Sequence, residues 1–254
     1  MNNAEYISKI KKFSISKIGE EDNENKDSVD FNKFNGAFCI SDGVSGAGYS
    51  DIWSKLIVSN FIENPFETND VELSSWLGPI QKKWFDLVPW EKLQKKGALF
   101  YEKAQDGGSA TFLGGHILEI EKQIILKLWA IGDSNLFVIR DWMCVDSFPI
   151  DDFEEFGIDP DMLFSMSKSI DDKITCMKGT MIFKEFNLKK GDILIAASDS
   201  ISEWFLKNKE NPSDQPWIEL CGINSLDEFK NWVEDKVKCK NMKNDDSTLL
   251  VVEI

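Results

Sequence analysis

Short apolar runs alternate with longer amphipathic stretches along the chain, and this pattern predicts a mixture of strands and helices. Continuous or alternating apolar residues predict strands at about residues 7–18, 34–41, 109–120, 123–131, 135–140, 181–188, 192–197 and 249–254. Apolar residues spaced three and four positions apart predict helices at about residues 51–62, 72–87 and 90–104. Helix starts are further indicated by Ser50 as an N-cap and by two capping boxes, Ser200 with Glu203 and Ser225 with Glu228.

The order of these elements predicts an α+β protein with antiparallel sheets covered by helices. The three predicted strands within residues 109–140 follow one another through tight turns, which is typical of an antiparallel meander. The acidic segment 148–178 contains Pro149 and Pro160, and we interpret it as an irregular surface excursion that forms a flap at the site. Because no composition break or fixed repeat divides the chain, residues 1–254 are predicted to form a single domain.

The composition is that of a packed, strongly acidic globular protein. Of its 254 residues 42% are hydrophobic, which is enough for a substantial core. The formal net charge of −15 argues against binding to nucleic acids or anionic membranes, which attract basic surfaces, and favours basic peptides. No apolar run is long enough to cross a bilayer, and residues 1–12 lack the apolar centre of a secretion signal. The five cysteines are odd in number and form no close pair, so we expect no disulfide framework and a location in the reducing cytoplasm.

Four acidic residues lie at the ends of predicted strands that are far apart in the chain. Asp42, Asp133 and Asp199 each follow an apolar strand, and Asp245 lies just before the last strand. An acid in such a position is also a common turn residue, so each of them alone predicts no more than a turn. Four positions can act together only if the fold brings them to one place, and carboxylate oxygens are the ligands that hard divalent cations prefer. The pattern therefore predicts one metal centre.

Other acidic residues are expected to be solvated charges in turns or in the flap. They are Asp106, Asp141, Asp151, Asp152, Asp171 and Asp172.

Six short motifs, taken in their order along the chain, resemble those of a known protein family. They are Gly19-x-x-Asp22-x-x-Asn25-Lys26-Asp27-Ser28, Ser41-Asp42-Gly43-x-x-Gly46, Gly108-Ser109-Ala110-Thr111, Gly132-Asp133-Ser134, Gly191-Asp192-x-Leu194 with Ala197-Ser198-Asp199, and Asp245-Asp246-Ser247-Thr248. No single motif is specific, but six in order are. Over nearly the whole chain they resemble the PPM or type 2C metal-dependent serine/threonine protein phosphatases, in particular the compact bacterial members.

This resemblance implies a central antiparallel β-sandwich flanked by helices on both sides, with two or three Mn2+ or Mg2+ ions at one end. The implied metal ligands are Asp27, Asp42, the carbonyl of Gly43, Asp133, Asp199 and Asp245. Asp42, Asp199 and Asp245 would form the catalytic set, and a water that bridges two ions would attack the phosphorus of phosphoserine or phosphothreonine in line. The resemblance also implies a phosphorylated protein substrate and a cognate serine/threonine kinase, and we expect a monomer.

Four positions depart from the pattern of the family. Asp22 stands where the family usually has the arginine that holds the substrate phosphate, and an acid there would repel the phosphate. Lys17, or a lysine from the flap, is a candidate substitute. Lys26 replaces an acidic or amide residue, Val44 replaces a histidine found in many members, and Ser200 replaces a glycine.

These departures leave two alternative functions open. The first is an inactive pseudophosphatase that binds a partner or a phosphopeptide, although the retained aspartates argue against it because buried like charges are costly. The second is a hydrolase of small phosphorylated metabolites. The only histidine, His116, lies in a predicted strand and is expected to be structural, so proton transfer would depend on metal-bound water and carboxylates.

Overall fold

The computed structural model describes residues 6–157, 159–170, 173–209 and 215–254. Its strands are β1 (Lys9–Ile15), β2 (Ser28–Asn32), β3 (Ala37–Ser41), β4 (Ser109–Ala110), β5 (Phe112–Ile120), β6 (Gln123–Ile131), β7 (Asn135–Arg140), β8 (Met143–Phe148), β9 (Met162–Ile170), β10 (Lys173–Lys178), β11 (Ile182–Leu188), β12 (Ile193–Ala197) and β13 (Ser247–Glu253). Its α-helices are α1 (Ser50–Glu63), α2 (Leu73–Leu87), α3 (Trp90–Lys96), α4 (Ala98–Gln105), α5 (Asp199–Lys209), α6 (Pro216–Gly222) and α7 (Leu226–Lys238). Asp171 and Asp172, predicted to be solvated charges, lie outside the described residues.

Most of the strands belong to two five-stranded antiparallel sheets. Sheet I has the strand order β1-β13-β12-β7-β8, and sheet II has the order β11-β6-β5-β3-β2. A small third sheet has the order β10-β9-β4.

Alternating side chains of the strands build three apolar layers. In β12, Leu194 and Ala196 point into the space between the two sheets, whereas Ile195 and Ala197 point towards α5, α6 and α7. In β3, Phe38 and the residue two positions after it also point into the space between the sheets, while the apolar residues that alternate with them pack against α1 and α2. The layers therefore run helix, sheet, sheet, helix. This confirms the predicted α+β fold with a central antiparallel β-sandwich flanked by helices on both sides.

Three predictions about connections are wrong. The predicted helix at 90–104 is broken at Gly97, whose φ of +124° separates α3 from α4. The predicted meander ends after the hairpin of β5 and β6, because β7 crosses to sheet I and pairs with β12. Gly132, with a φ of +100°, turns the chain at this crossover. The segment 148–178 is not irregular throughout, because β9 and β10 within it pair as antiparallel strands.

The predicted helix caps are only partly correct. Ser225 is confirmed as an N-cap, because its hydroxyl accepts a hydrogen bond from the Glu228 amide at 3.2 Å. Ser50 is the first residue of α1 rather than its N-cap, and Ser200 lies inside the first turn of α5. Besides β9 and β10, three short elements were not predicted, β2, β8 and α6.

All five cysteines have free thiols. Within the described ranges, no helix combines the length and the hydrophobicity that crossing a bilayer requires.

Candidate metal centre

The pairing of β2 with β3 brings two of the predicted acids together in sheet II. Ser41, the last residue of β3, lies opposite Ser28, the first residue of β2. Asp42 follows Ser41 and Asp27 precedes Ser28, so both acids lie at the same edge of the sheet. In sheet I, the pairing of β12 with β7 and β13 likewise brings predicted acids together.

In sheet I, Ala197 at the end of β12 pairs with Asn135 at the start of β7 and lies beside the start of β13. Asp199 therefore lies near Asp133, which precedes β7, and near Asp245, which precedes β13. Because the two sheets are stacked, these acids and those of sheet II meet at one edge of the sandwich.

A cleft of about 490 Å³ opens at this edge. Its lining includes Asp42, Asp133, Asp199 and Asp245. Asp27 is not part of the lining but is buried, with 4% of its surface exposed, and its charge and that of Asp42 influence each other. The five predicted acidic ligands therefore form one cluster, whose metal-binding role stays a prediction.

Gly43, the remaining predicted ligand, lies in a position that only glycine fits. A Cβ atom on this residue would be 2.6 Å from the Lys26 carbonyl oxygen and 2.9 Å from that of Ser50. The backbone can pass between these two segments because there is no side chain, and this close approach holds the Asp42 turn against α1.

Burial among like charges raises the pKa of four acids of the cluster, Asp27, Asp42, Asp133 and Asp199. Burial, followed by the charges of Asp27 and Asp199, raises the pKa of Asp42 well above its ordinary value. Burial and Asp246 raise the pKa of Asp27 to about 7, and burial with Asp199 raises that of Asp133 to about 7. Without added positive charge, these carboxyls tend to hold protons at neutral pH.

Several carboxylate oxygens of the cluster are buried without a partner. Both oxygens of Asp27 and the Oδ1 atom of Asp133 make no hydrogen bond. Thr248 and Asp42 lie near enough to Asp27 to oppose the rise of its pKa, but neither bonds to it in good geometry. Buried polar atoms of this kind are rare because leaving them unsatisfied is costly.

Lys243 lies against the other side of the cluster. Its ammonium forms an ion pair with Oδ2 of Asp199 and lies 3.7 Å from Oδ2 of Asp245. Although burial opposes the charge, Asp199, Asp245 and Asp133 outweigh it and raise the pKa of the lysine above its ordinary value. Lys243 is therefore protonated at physiological pH and supplies a positive charge to the cluster.

The donor set of the cluster suits divalent cations. With all five carboxyls ionised, the cluster and the ammonium of Lys243 would carry four net negative charges, which two divalent cations would neutralise, and cation binding would release the protons that these carboxyls hold. All the side-chain donors are oxygens. Among the described residues, however, no three acidic, histidine or cysteine side chains already converge closely enough to enclose an ion. The residues thus fit Mn2+ or Mg2+ in chemistry and charge, and ligation would draw the carboxylates closer together.

Thr111 connects the loops that carry the acids of the two sheets. Its Oγ1 atom accepts a hydrogen bond from the Asp42 amide at 3.1 Å and lies 2.9 Å from the hydroxyl oxygen of Ser134. The Thr111 amide donates to the Asp42 carbonyl at 2.8 Å. The backbone of Asp42 is therefore held through both its amide and its carbonyl, and it is linked through Thr111 to the turn that carries Asp133.

Asp246, next to Asp245, has a structural role. Its carboxylate accepts hydrogen bonds from the Lys17 amide at 3.0 Å and from the Lys26 amide at 2.8 Å. It thereby fastens both ends of the loop between β1 and β2 to the acidic edge.

Asp22 is acidic, and Lys17 and Lys26 lie beside Glu20, so none of the three offers a free cation in place of the phosphate-binding arginine, whereas a lysine from the flap stays a prediction. Asp22 is exposed on a single-turn 3-10 helix. Lys17 pairs with Glu20 at 2.8 Å, and the Lys26 ammonium lies 3.7 Å from the same side chain. Ser200 contacts the hydroxyl of Ser247 at 3.1 Å, which anchors α5 to β13.

The only arginine and the only histidine are structural. Arg140 forms a double hydrogen bond with the buried carboxylate of Asp192, at 2.8 and 2.6 Å. It lies at the far end of β7, roughly 16 Å from the acidic edge at the usual rise of a strand. The ring nitrogens of His116 lie 3.2 Å from the Phe66 carbonyl and 3.0 Å from the Asn35 carbonyl. Neither side chain lines the cleft.

Solved structures with the same architecture include serine/threonine phosphatases. The phosphatase PstP/Ppp of Mycobacterium tuberculosis is 15% identical, with a TM-score of 0.58 over 98% of this chain and 99% of that chain. The catalytic domain of PstP in complex with two manganese ions is 16% identical, with a TM-score of 0.58 over 97% and 98%. Stp1 of Staphylococcus aureus is 14% identical, with a TM-score of 0.57 over 97% and 94%. No protein-family model matches this sequence, and neither does any curated protein.

At such identities the likeness defines the fold alone. The chain has the fold of the PPM-type serine/threonine phosphatases, and the resemblance predicted from its motifs is confirmed at this level. The acidic cluster and its cleft, rather than sequence identity, must support any statement about activity.

Proposed function

We propose that this protein is a divalent-cation-dependent phosphatase that hydrolyses phosphoserine or phosphothreonine in proteins. The observation that carries the proposal is the cluster of buried carboxylates at one edge of the sandwich, in which Asp27 and Asp133 have oxygens without partners. Buried like charges destabilise a protein unless positive charge compensates them. The PstP catalytic domain, which has the same fold, forms a complex with two manganese ions.

The residues that would hold the cations are those implied by the motifs. They are Asp27, Asp42, the Gly43 carbonyl, Asp133, Asp199 and Asp245. Two or three Mn2+ or Mg2+ ions would suit this oxygen-rich set. When bound, the cations would supply positive charge to the phosphoryl group and lower the pKa of a coordinated water.

The protein itself contributes position and shape. Thr111 holds the backbone of Asp42 through both its amide and its carbonyl, so the position of this residue in the site does not depend on the substrate. The walls of the cleft beside the acids are formed by Val44, Ser45, Phe156, Gly157 and Pro160. These residues would receive the phosphorylated side chain and limit the access of water to it.

The charge of the chain favours particular substrates. A net charge of −15 would attract phosphoproteins with basic residues near the phosphorylated site. We extend the proposal to a monomeric, single-domain enzyme in the cytoplasm that opposes a serine/threonine kinase. The free thiols of all five cysteines suit a reducing compartment.

The proposal is tested by phosphate release from a phosphothreonine peptide with basic flanking residues, in millimolar Mn2+ and in EDTA. We expect turnover that requires the cation and falls at least 100-fold in Asp42→Asn and Asp199→Asn. Asp106→Asn is a matched control outside the cluster and is expected to keep full activity. Turnover that persists in EDTA, or in both cluster variants, would overturn the proposal. Faster turnover of small phosphorylated metabolites than of peptides would redirect it to a metabolite hydrolase.

A second candidate function is a binding module that recognises a phosphopeptide or a partner without hydrolysis. The observation that favours it is the lack of a basic side chain at Asp22, together with the use of Arg140 for a structural ion pair. This function predicts that a phosphopeptide binds with micromolar affinity and is not turned over in Mn2+. Reversion of the two departures, Asp22→Arg with Lys26→Glu, would then be expected to restore turnover.

A further inference from the structure

The acidic cluster has two halves that differ in how their charge is compensated. The first half consists of Asp27, Asp42 and Asp133. Three of its carboxylate oxygens, both of Asp27 and one of Asp133, are buried without any partner. The charge of Lys243 opposes the rise of the Asp133 pKa, but no hydrogen-bond donor in the described part of the protein reaches these three oxygens, so the first half can accept an added cation.

The second half consists of Asp199 and Asp245, and its oxygens are already engaged. The Oδ1 atom of Asp199 accepts a hydrogen bond from the Ser200 amide at 2.6 Å, and the Oδ1 atom of Asp245 accepts one from the amide that follows it at 3.0 Å. Both Oδ2 atoms face the ammonium of Lys243. The charge that a divalent cation would bring to these two carboxylates is thus partly supplied by the chain.

We propose that Lys243 is an internal cation of the second half, which a divalent cation must displace, so that the two halves of the cluster bind Mn2+ with unequal affinity. The first half binds tightly, and the second binds weakly because the ion competes with a tethered ammonium at high effective concentration. Lys243 thereby sets the cation concentration at which the second half fills. This inference rests on the proposed function in that it takes the cluster to be a cation site.

The position of Lys243 allows such an exchange. The residue lies in the loop between the end of α7 and the start of β13, and 40% of its side chain is exposed. A lysine stem is long and flexible, and its ammonium binds as a point charge without a fixed geometry. The side chain can therefore leave Asp199 without unfolding the loop.

An alternative place for the displaced ammonium lies beside the cluster. A second cleft of about 320 Å³ is lined by Lys243 and by Glu203, and Glu203 also lines the acidic cleft. The Glu203 carboxylate pairs with Lys207 and can accept a hydrogen bond from a further donor. The released lysine would remain at the rim of the acidic cleft, near the place where a phosphorylated substrate enters.

The test is calorimetric titration of the purified protein with Mn2+, which reports affinity and stoichiometry independently of turnover. In the wild type we expect one tight and one weaker binding event. In Lys243→Met, which keeps the length of the stem but removes the charge, the weaker event is expected to tighten at least tenfold while the tight one stays unchanged. Lys243→Arg keeps a positive charge and is expected to behave like the wild type. Lys238→Met removes an exposed lysine that pairs only with Glu234 and is the matched control.

Unchanged or weakened Mn2+ binding in correctly folded Lys243→Met, as judged by circular dichroism, would overturn the inference. Binding of a second ion only in Lys243→Met would support it in its strongest form, with the lysine fully replacing that ion in the wild type. The proposed function is judged separately by phosphopeptide turnover. If Lys243→Met binds Mn2+ more tightly but the protein shows no turnover, the role of Lys243 stands and the proposed phosphatase function is rejected. If the protein shows turnover but Lys243→Met does not change Mn2+ binding, the phosphatase function stands and the role of Lys243 is rejected.

Discussion

Replacement of Asp27 by asparagine is predicted to stabilise the cation-free protein at alkaline pH. Asp27 is 4% exposed, and burial followed by the charge of Asp246 raises its pKa from 3.8 to about 7. Since the folded state binds the proton more tightly than the unfolded state, the charged carboxylate destabilises the fold. This loss of folding free energy is absent below about pH 4, grows as the pH rises between the two pKa values and is complete above about pH 7. Three pKa units at about 1.36 kcal/mol each correspond to a penalty on the order of 4 kcal/mol.

The assay is thermal unfolding in EDTA, followed by circular dichroism at about pH 8 and about pH 5. At roughly 2–4 °C per kcal/mol for a chain of this size, Asp27→Asn is expected to raise Tm by on the order of 10 °C at pH 8 and by only a few degrees at pH 5. Asp22→Asn, which removes an exposed acid from the adjoining loop, is the control and is expected to change neither value. A lower Tm for Asp27→Asn at pH 8, or an equal effect at both pH values, would refute the reasoning that its charge is uncompensated.

Three further substitutions test the scaffold of the site. Thr111→Val removes the hydroxyl that accepts a hydrogen bond from the Asp42 amide, and we expect the free energy of unfolding in urea to fall by about 1–3 kcal/mol. Thr111→Ser keeps the hydroxyl and is expected to avoid most of this loss, so equal losses in both variants would contradict the prediction. Arg140→Ala leaves the buried carboxylate of Asp192 unpaired and is expected to cost about 3 kcal/mol of stability without changing Mn2+ affinity, which calorimetry would check. Gly43→Ala places a Cβ 2.6 Å from a backbone oxygen, so Mn2+ affinity is expected to fall at least tenfold, and unchanged affinity would show that the turn can shift.

The fold was predictable wherever an apolar pattern ended in a distinctive residue. β3 and β12 are apolar runs that lead through a serine to an aspartate, and the predicted strands at 34–41 and 192–197 agree with them. Periodicity does not say which sheet a strand joins, so the crossover of β7 after Gly132 could not be predicted. The hairpin of β9 and β10 was missed because its surroundings are acidic and rich in proline, a composition that favours loops.

The acids of the candidate site were predictable because each lies at a strand end, but their compensation was not. Lys243 is two residues before Asp245 in a polar loop and has the sequence signature of a solvated charge. Only the pairing of β12 with β13 brings it against Asp199. The ammonium of Lys17, a candidate phosphate ligand from the sequence, pairs with Glu20, an interaction that the polar sequence around it does not reveal.

The central claim is that the carboxylates at the edge of the sandwich form one centre for divalent cations. Crystals of the protein grown with Mn2+ and measured at a wavelength where manganese scatters anomalously would test it directly. We predict anomalous peaks within about 2.0–2.6 Å of carboxylate oxygens of Asp42 and of Asp199, with the ammonium of Lys243 moved away from the second peak. A map at saturating Mn2+ without a peak in the cluster, or with peaks only at exposed acids such as Asp106, would contradict the account.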